Sequence, residues 1–85
     1  MPGNLEWTNR AIKDMERLPS RDRDYVIRGL DRLAETRQGD IRQLHGPTTE
    51  WRLRVGDWRV RFSLLSSGNI LILRVQNRRE AYREC

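Results

Sequence analysis

The chain has one cysteine, Cys85, so no disulfide can close within it. It has one histidine, His45, with no second histidine and no cysteine nearby. A metal site needs several such ligands together, so His45 reads as a surface-loop residue. There is one lysine, Lys13; the other sixteen basic residues are arginine. No apolar run approaches the ~18 residues of a membrane span, and no signal peptide is expected at the start. Repeats, linkers and low-complexity tracts are also missing. These absences exclude a disulfide scaffold and a membrane span. The expectation is a reducing, cytoplasmic setting with no metal and no cofactor.

What is present fits one domain, taken as residues 1–85. A domain this small buries only about 60–65% of the surface its unfolded chain exposes, so its core is thin. Hydrophobic residues are 36% and charged residues 34%, polar but patterned, which reads as folded. Charge is uneven along the chain. Residues 1–50 hold nine basic and nine acidic side chains, and residues 51–85 hold eight arginines against Asp57, Glu80 and Glu84. The whole net charge of +5 therefore lies in the C-terminal part. A GC-rich coding sequence would favour arginine over lysine, but it would not create this asymmetry.

The order of elements is legible. "NLEW" suits a short first strand. Ala11, Ile12, Met15 and Leu18 recur at helical spacing, with Thr8 or Asn9 as cap and Pro19 as stop. Ser20 can cap a second helix, about Arg21 to Thr36, whose apolar face is Tyr25, Val26, Leu30, Leu33 and Ala34. The two helices would form an antiparallel hairpin. Gly39 closes the region, Leu44 is a candidate for burial, and Gly46-Pro47 marks a turn. From Trp51 onward the pattern alternates as strands do. Gly56-Asp57 suits a two-residue hairpin turn, "SSGN" a second turn, and "ILILRV" a central strand apolar on both faces. The fold class is therefore α+β: an N-terminal strand and a two-helix hairpin packed on a C-terminal antiparallel β-meander.

The stretch "WRLRVGDWRVRF" fixes a register. A two-residue loop at 56–57 pairs Val55 with Trp58, Arg54 with Arg59, Leu53 with Val60, Arg52 with Arg61 and Trp51 with Phe62. Directly opposed residues share a face. One face is then apolar, and the other carries Arg52, Arg54, Arg59 and Arg61. The second hairpin sets Arg61 opposite Arg74 and Arg59 opposite Gln76, and brings Arg78 to the same surface. Opposed like charges cost up to about 1 kcal/mol per pair. One or two such arginines are tolerated with their stems on apolar surface. Five or six, with scarcely a carboxylate among them, point to a bound polyanion. The planar guanidinium fork suits phosphate because it bonds two oxygens at once. Trp51, Trp58 and Trp7 belong to the core, which leaves Tyr82 as the aromatic able to reach the arginine surface.

On "WRLRVGDWRVRF" and "ILRVQNRREAYRE" the chain resembles the RelE/ParE superfamily of toxins from type II toxin–antitoxin systems. The resemblance spans nearly the whole chain, including its length and its order of elements. It implies a toxin neutralised by a cognate antitoxin, with operator DNA bound only through the antitoxin complex. For RelE-like members it implies an mRNA endonuclease that works in the ribosomal A site. Arg59 and Arg78 then match arginines that stabilise the phosphate, and Tyr82 matches the C-terminal tyrosine at the scissile nucleotide. Arg52 and Arg54 fall where ribosome-dependent members carry basic residues. Strand parity adds Arg61 and Arg74 as RNA-binding residues.

The residue types suit that chemistry in part. Attack by a 2′-OH needs a proton acceptor, charge stabilisation at phosphorus and protonation of the leaving 5′-oxygen. Arginine supplies the second. Its pKa above about 12 makes it a poor acid or base, so Tyr82 is assigned as base. One departure stands out: Asn77 occupies a position where many relatives have histidine, and asparagine cannot shuttle protons. Two alternatives stay open. One is a ParE-like inhibitor of DNA gyrase; the other is an inactive member acting as an antitoxin-bound co-repressor.

Overall fold

The computed structural model describes residues 4–37, 39–43 and 50–79. The elements are β1 (Leu5–Trp7), α1 (Asn9–Glu16), α2 (Ser20–Thr36), β2 (Asp40–Gln43), β3 (Glu50–Val55), β4 (Trp58–Leu64) and β5 (Ile70–Asn77). The strands form one sheet in the spatial order β1-β5-β4-β3-β2. The α+β class holds. Tyr82, His45, Leu44 and the Gly46-Pro47 turn lie outside the described residues. No helix among the described residues is long and apolar enough to cross a membrane.

Two features extend the expected meander. β1 pairs with β5 in parallel, Leu5 to Trp7 against Ile70 to Ile72, which makes the sheet mixed. β5 is thus central, as its two-sided apolar run requires. β2 is an added edge strand, antiparallel to β3. All four of its residues are exposed, so its sequence "DIRQ" carries no burial pattern. The backbone ladder of β3 makes this strand, and no apolar face of its own does.

The β3–β4 register is the one the sequence dictates, from Val55↔Trp58 to Trp51↔Phe62. Beyond the second turn, Leu64 faces Ile70, one residue off the pairing that sets Arg61 opposite Arg74. A bulge between Arg61 and Phe62 absorbs the difference, because Phe62 pairs with Ile72 and Arg61 with Arg74. Leu73 is the extra residue. The expected partners Arg61↔Arg74 and Arg59↔Gln76 are met through this bulge.

Helix residues Ala11, Met15, Val26, Leu30 and Leu33 pack on sheet residues Leu53, Val60, Phe62, Ile70 and Ile72. Trp7, Trp51 and Trp58 are half-buried against this core. Gly29 lets α2 approach β3: a Cβ there would lie 2.9 Å from Val55 Cγ2. Tyr25 departs from its expected place in the apolar face and is 54% exposed. The start of α2 also differs. Pro19 is the N-cap and makes no side-chain cap bond, and Ser20 is already helical. Arg23 joins the two helices instead. Its Nε and Nη2 donate to the carbonyl of Met15, which also accepts from the Leu18 amide, and to the carbonyl of Leu18 in the link between the helices.

Thr8 connects helix and sheet. Its Oγ1 accepts from the Ala11 amide at 3.1 Å and donates to the Leu73 carbonyl at 3.0 Å. Its own amide donates to the Ile72 carbonyl. Thr8→Ala removes both side-chain bonds and is expected to cost about 1–2 kcal/mol. Urea unfolding checks this; a loss below half that figure would mean the cap is dispensable.

Candidate nucleic-acid interface

The pairing of four strands aligns two rows of side chains across the sheet face turned from the core. One row is Arg42, Arg52, Arg61 and Arg74, consecutive Cα partners on β2, β3, β4 and β5. The next row is Asp40, Arg54, Arg59 and Gln76 on the same strands. Arg42 and Asp40 come from β2, so sequence parity around the two hairpins misses them. The one hint is that Gly39 and Gly46-Pro47 bound a segment short enough for an edge strand.

Asp40, Arg42, Arg52, Arg54 and Arg59 line a recess of about 120 Å³. Four guanidinium-bearing side chains thus surround one carboxylate, and the recess stays strongly cationic. Three of the sequence-predicted residues, Arg52, Arg54 and Arg59, meet here. Arg59 is 5% exposed. Its Nη1 donates to the carbonyls of Gly56 at 3.0 Å and Trp58 at 3.2 Å. These bonds hold the guanidinium at a fixed angle before any ligand arrives, which is what electrostatic stabilisation of a transition state needs.

The other predicted residues sit differently. Arg61 Nη2 meets Glu50 Oε2 at 2.7 Å. Arg74 Nε meets Asp14 Oδ2 at 2.8 Å, with side chains only 18% and 10% exposed. The near absence of carboxylates suggested by the stretch itself is therefore corrected. Glu50 and Asp14 arrive from β3's first residue and from α1, and each takes one arginine. Arg78 lies just past β5, which ends at Asn77, and its amide donates to the Asp57 carbonyl at 2.8 Å. Its exposed guanidinium is 3.9 Å from the Asp57 carboxylate. Gln76 is buried, and its Oε1 has no hydrogen-bond partner.

Chemically, the recess can hold a phosphate and offset charge developing on it. Among the described residues, Asp40 is the one proton acceptor lining it. No three His, Cys, Asp or Glu side chains among the described residues converge as metal ligands would.

Comparison with known proteins adds a lineage to this geometry. The sequence model of the family described as "ParE toxin of type II toxin-antitoxin system, parDE" matches residues 5–82. A protein of Methanocaldococcus jannaschii named "Putative toxin RelE1" is 32% identical over 88 residues, covering 94% of this chain and 93% of its own. Among solved structures, the toxin–antitoxin complex RelBE2 of Mycobacterium tuberculosis contains a chain similar at a TM-score of 0.80 and 21% identity. That match covers 91% of this chain and 99% of the other. A chain of the RelE–RelB complex of Pyrococcus horikoshii is similar at 0.76 and 24% identity, over 92% and 97% of the two chains. The isolated RelE toxin of E. coli is similar at 0.71 and 17% identity, over 96% and 97%. At these identities the solved structures speak for the fold.

Proposed function

The chain belongs to the ParE/RelE family of type II toxin–antitoxin toxins, and on that premise we propose that it is a ribosome-dependent mRNA endonuclease. The observation that carries this reading is the recess in which Arg42, Arg52, Arg54 and Arg59 surround one small space. In the proposed reaction the 2′-OH of one nucleotide attacks the adjacent phosphorus. The bond from phosphorus to the 5′-oxygen breaks, the 5′-oxygen takes a proton from water and leaves as the 5′-hydroxyl, and a 2′,3′-cyclic phosphate forms. Arg59 and Arg78 offset the charge that grows on the phosphoryl oxygens. Arg52 and Arg54 hold the RNA backbone, while Arg61 and Arg74, each on its own carboxylate, frame the site. Tyr82 takes the 2′-OH proton. Asp40 offers a second acceptor inside the recess, which bears on the absence of a histidine at Asn77.

The proposed partners are the ribosome with its mRNA, and a cognate antitoxin through which alone operator DNA would be bound. Relatives of this fold were solved as complexes with their antitoxins. On this chain, Trp7, Ile12, Met15 and Ile27, with Glu16 and Arg23 beside them, line a mainly apolar groove of about 400 Å³. Ile12 is 46% and Ile27 37% exposed there. An apolar antitoxin helix suits this groove, and an acidic antitoxin segment suits the arginine face.

Mapping message ends by primer extension after induction tests the activity. Breaks inside coding regions are expected with the wild type and with neither Arg59→Ala nor the Tyr82→Phe, Asp40→Asn double variant. Intact messages would contradict the reading. The family description as ParE, together with Asn77, favours gyrase inhibition as the second reading. Intact messages accompanied by induction of the DNA-damage response would support that one.

A further inference from the structure

The two flanks of α1 differ in kind. Ile12 and Met15 open on the apolar groove, with Glu16 at its rim. The opposite flank carries Arg10, Lys13 and Arg17, all exposed. At 3.6 residues per turn, Arg10 and Arg17 fall about 20° apart, and Lys13 about 40–60° from them. Arg17, just past the last helical residue, keeps αR backbone, so the spacing holds.

Nothing in the fold calls for these cations. Among the described residues, none of the three side chains makes a hydrogen bond or an ion pair. Asp14 stands at i+4 from Arg10 and at i−3 from Arg17, the spacings at which helices form ion pairs. Its carboxylate instead serves Arg74 Nε at 2.8 Å and the Val75 amide at 3.0 Å. The first turn of α1 holds no acidic residue. Arg10 sits there, at the positive end of the helix dipole, where a cation is disfavoured. An anion from outside would offset both costs.

The surroundings select that anion. No apolar side chain falls between these three positions on the helix surface, so the stripe lacks the apolar centre of a protein interface. A nucleic-acid backbone needs none, because charge alone holds its phosphates. The stripe also stands apart from the cleavage recess. α1 binds β5 through Asp14, whereas the recess is lined from β2, β3 and β4. Between them lie Arg61 and Arg74, neutralised by Glu50 and Asp14. A message in the recess would have to cross this neutral ground to reach α1. The stripe therefore suits a second backbone, one that is bound and not cut.

We infer that Arg10, Lys13 and Arg17 dock the protein on the phosphate backbone of ribosomal RNA, while the arginine recess takes the message. The inference rests on the ribosome being the target, as in the ribonuclease reading above. Co-sedimentation with vacant ribosomes, which carry no message, tests it over a range of salt. The wild type should bind them. A triple variant, Arg10→Ala with Lys13→Ala and Arg17→Ala, should bind about tenfold more weakly near physiological salt. Its slope of log affinity against log salt should be shallower by about 2–3, one phosphate contact per residue. Arg10→Lys with Arg17→Lys should bind as the wild type does, since only charge is used. Affinity for a short unstructured RNA, which the recess takes, should change little. On programmed ribosomes the triple variant should raise KM and leave kcat unchanged. All three side chains are exposed, so their truncation spares the core, and a thermal melt verifies folding. A triple variant with wild-type ribosome affinity and salt slope overturns the docking surface and leaves the ribonuclease reading standing. Equal weakening toward the short RNA would make the stripe part of the message track, and loss of antitoxin binding alone would make it a protein contact; either result contradicts the inference. If the wild type docks through these residues yet cuts no message, the ribonuclease reading falls and the docking surface stands. A wild type that binds no ribosome overturns both.

Discussion

An Asp14→Ala variant is expected to lose about 3–5 kcal/mol of stability, a large share of the ~5–15 kcal/mol that holds a domain together. The reason is where β1 stops. Its pairing with β5 ends at Ile72, and the edge beyond needs other partners. Thr8 serves the Leu73 carbonyl, and Asp14 Oδ2 serves the Val75 amide at 3.0 Å. The same carboxylate accepts from Arg74 Nε at 2.8 Å and Nη2 at 3.4 Å. Alanine therefore strands a buried amide and takes this carboxylate from a mostly buried arginine. Asp14→Asn keeps an oxygen for Val75 and loses the charge, so its cost should be about half. Urea midpoints of the three proteins measure this. An alanine variant within about 1 kcal/mol of wild type would show that the edge is satisfied some other way.

Arg59→Ala is expected to slow cleavage about 10²–10³-fold, the usual effect of removing one preorganised donor to a developing oxyanion. Arg59→Lys should recover little. Lysine restores the charge but not the fork, which at Arg59 spans two turn carbonyls and the recess at once. Losing the turn bonds should itself cost about 1–2 kcal/mol, so rates belong at a temperature where the variant remains folded. Arg54→Ala is the companion. Its side chain is exposed, its removal should leave stability within about 0.5 kcal/mol, and any lost rate is then functional. Single-turnover cleavage on programmed ribosomes separates these cases. A folded Arg59→Ala protein as fast as wild type would remove Arg59 from the chemistry.

Much of the molecule could be read before its structure, and the limits have physical causes. The hairpin register followed from period 2 and the Gly56-Asp57 turn, because a slip of one residue would put Trp51, Leu53 and Val55 on the arginine side. β5 was legible as central because its apolar residues fall on both faces. β2 was not, since a four-residue strand exposed throughout has no side-chain periodicity; only the backbone of β3 reveals it. Arg42 and Asp40 were hidden with it. Glu50 and Asp14 were visible as residues but not as partners. Glu50 lies diagonal to Arg61 across the β3–β4 pair, and Asp14 reaches Arg74 from a helix 60 residues away in sequence. Tyr25 was misplaced for a similar reason. Helical spacing puts it next to Val26 on the apolar face, but the Gly56 turn holds it outward.

The most direct test of the central claim uses purified protein, programmed ribosomes and a message with a single 2′-deoxynucleotide at the cleavage position. Wild-type protein should cut the all-ribose message at one A-site bond and leave a 2′,3′-cyclic phosphate. The deoxy substitution should abolish that cut, as should Arg59→Ala on the all-ribose message. An uncut all-ribose message, with the same protein blocking supercoiling by gyrase, would contradict the claim and transfer the arginine face to a protein target.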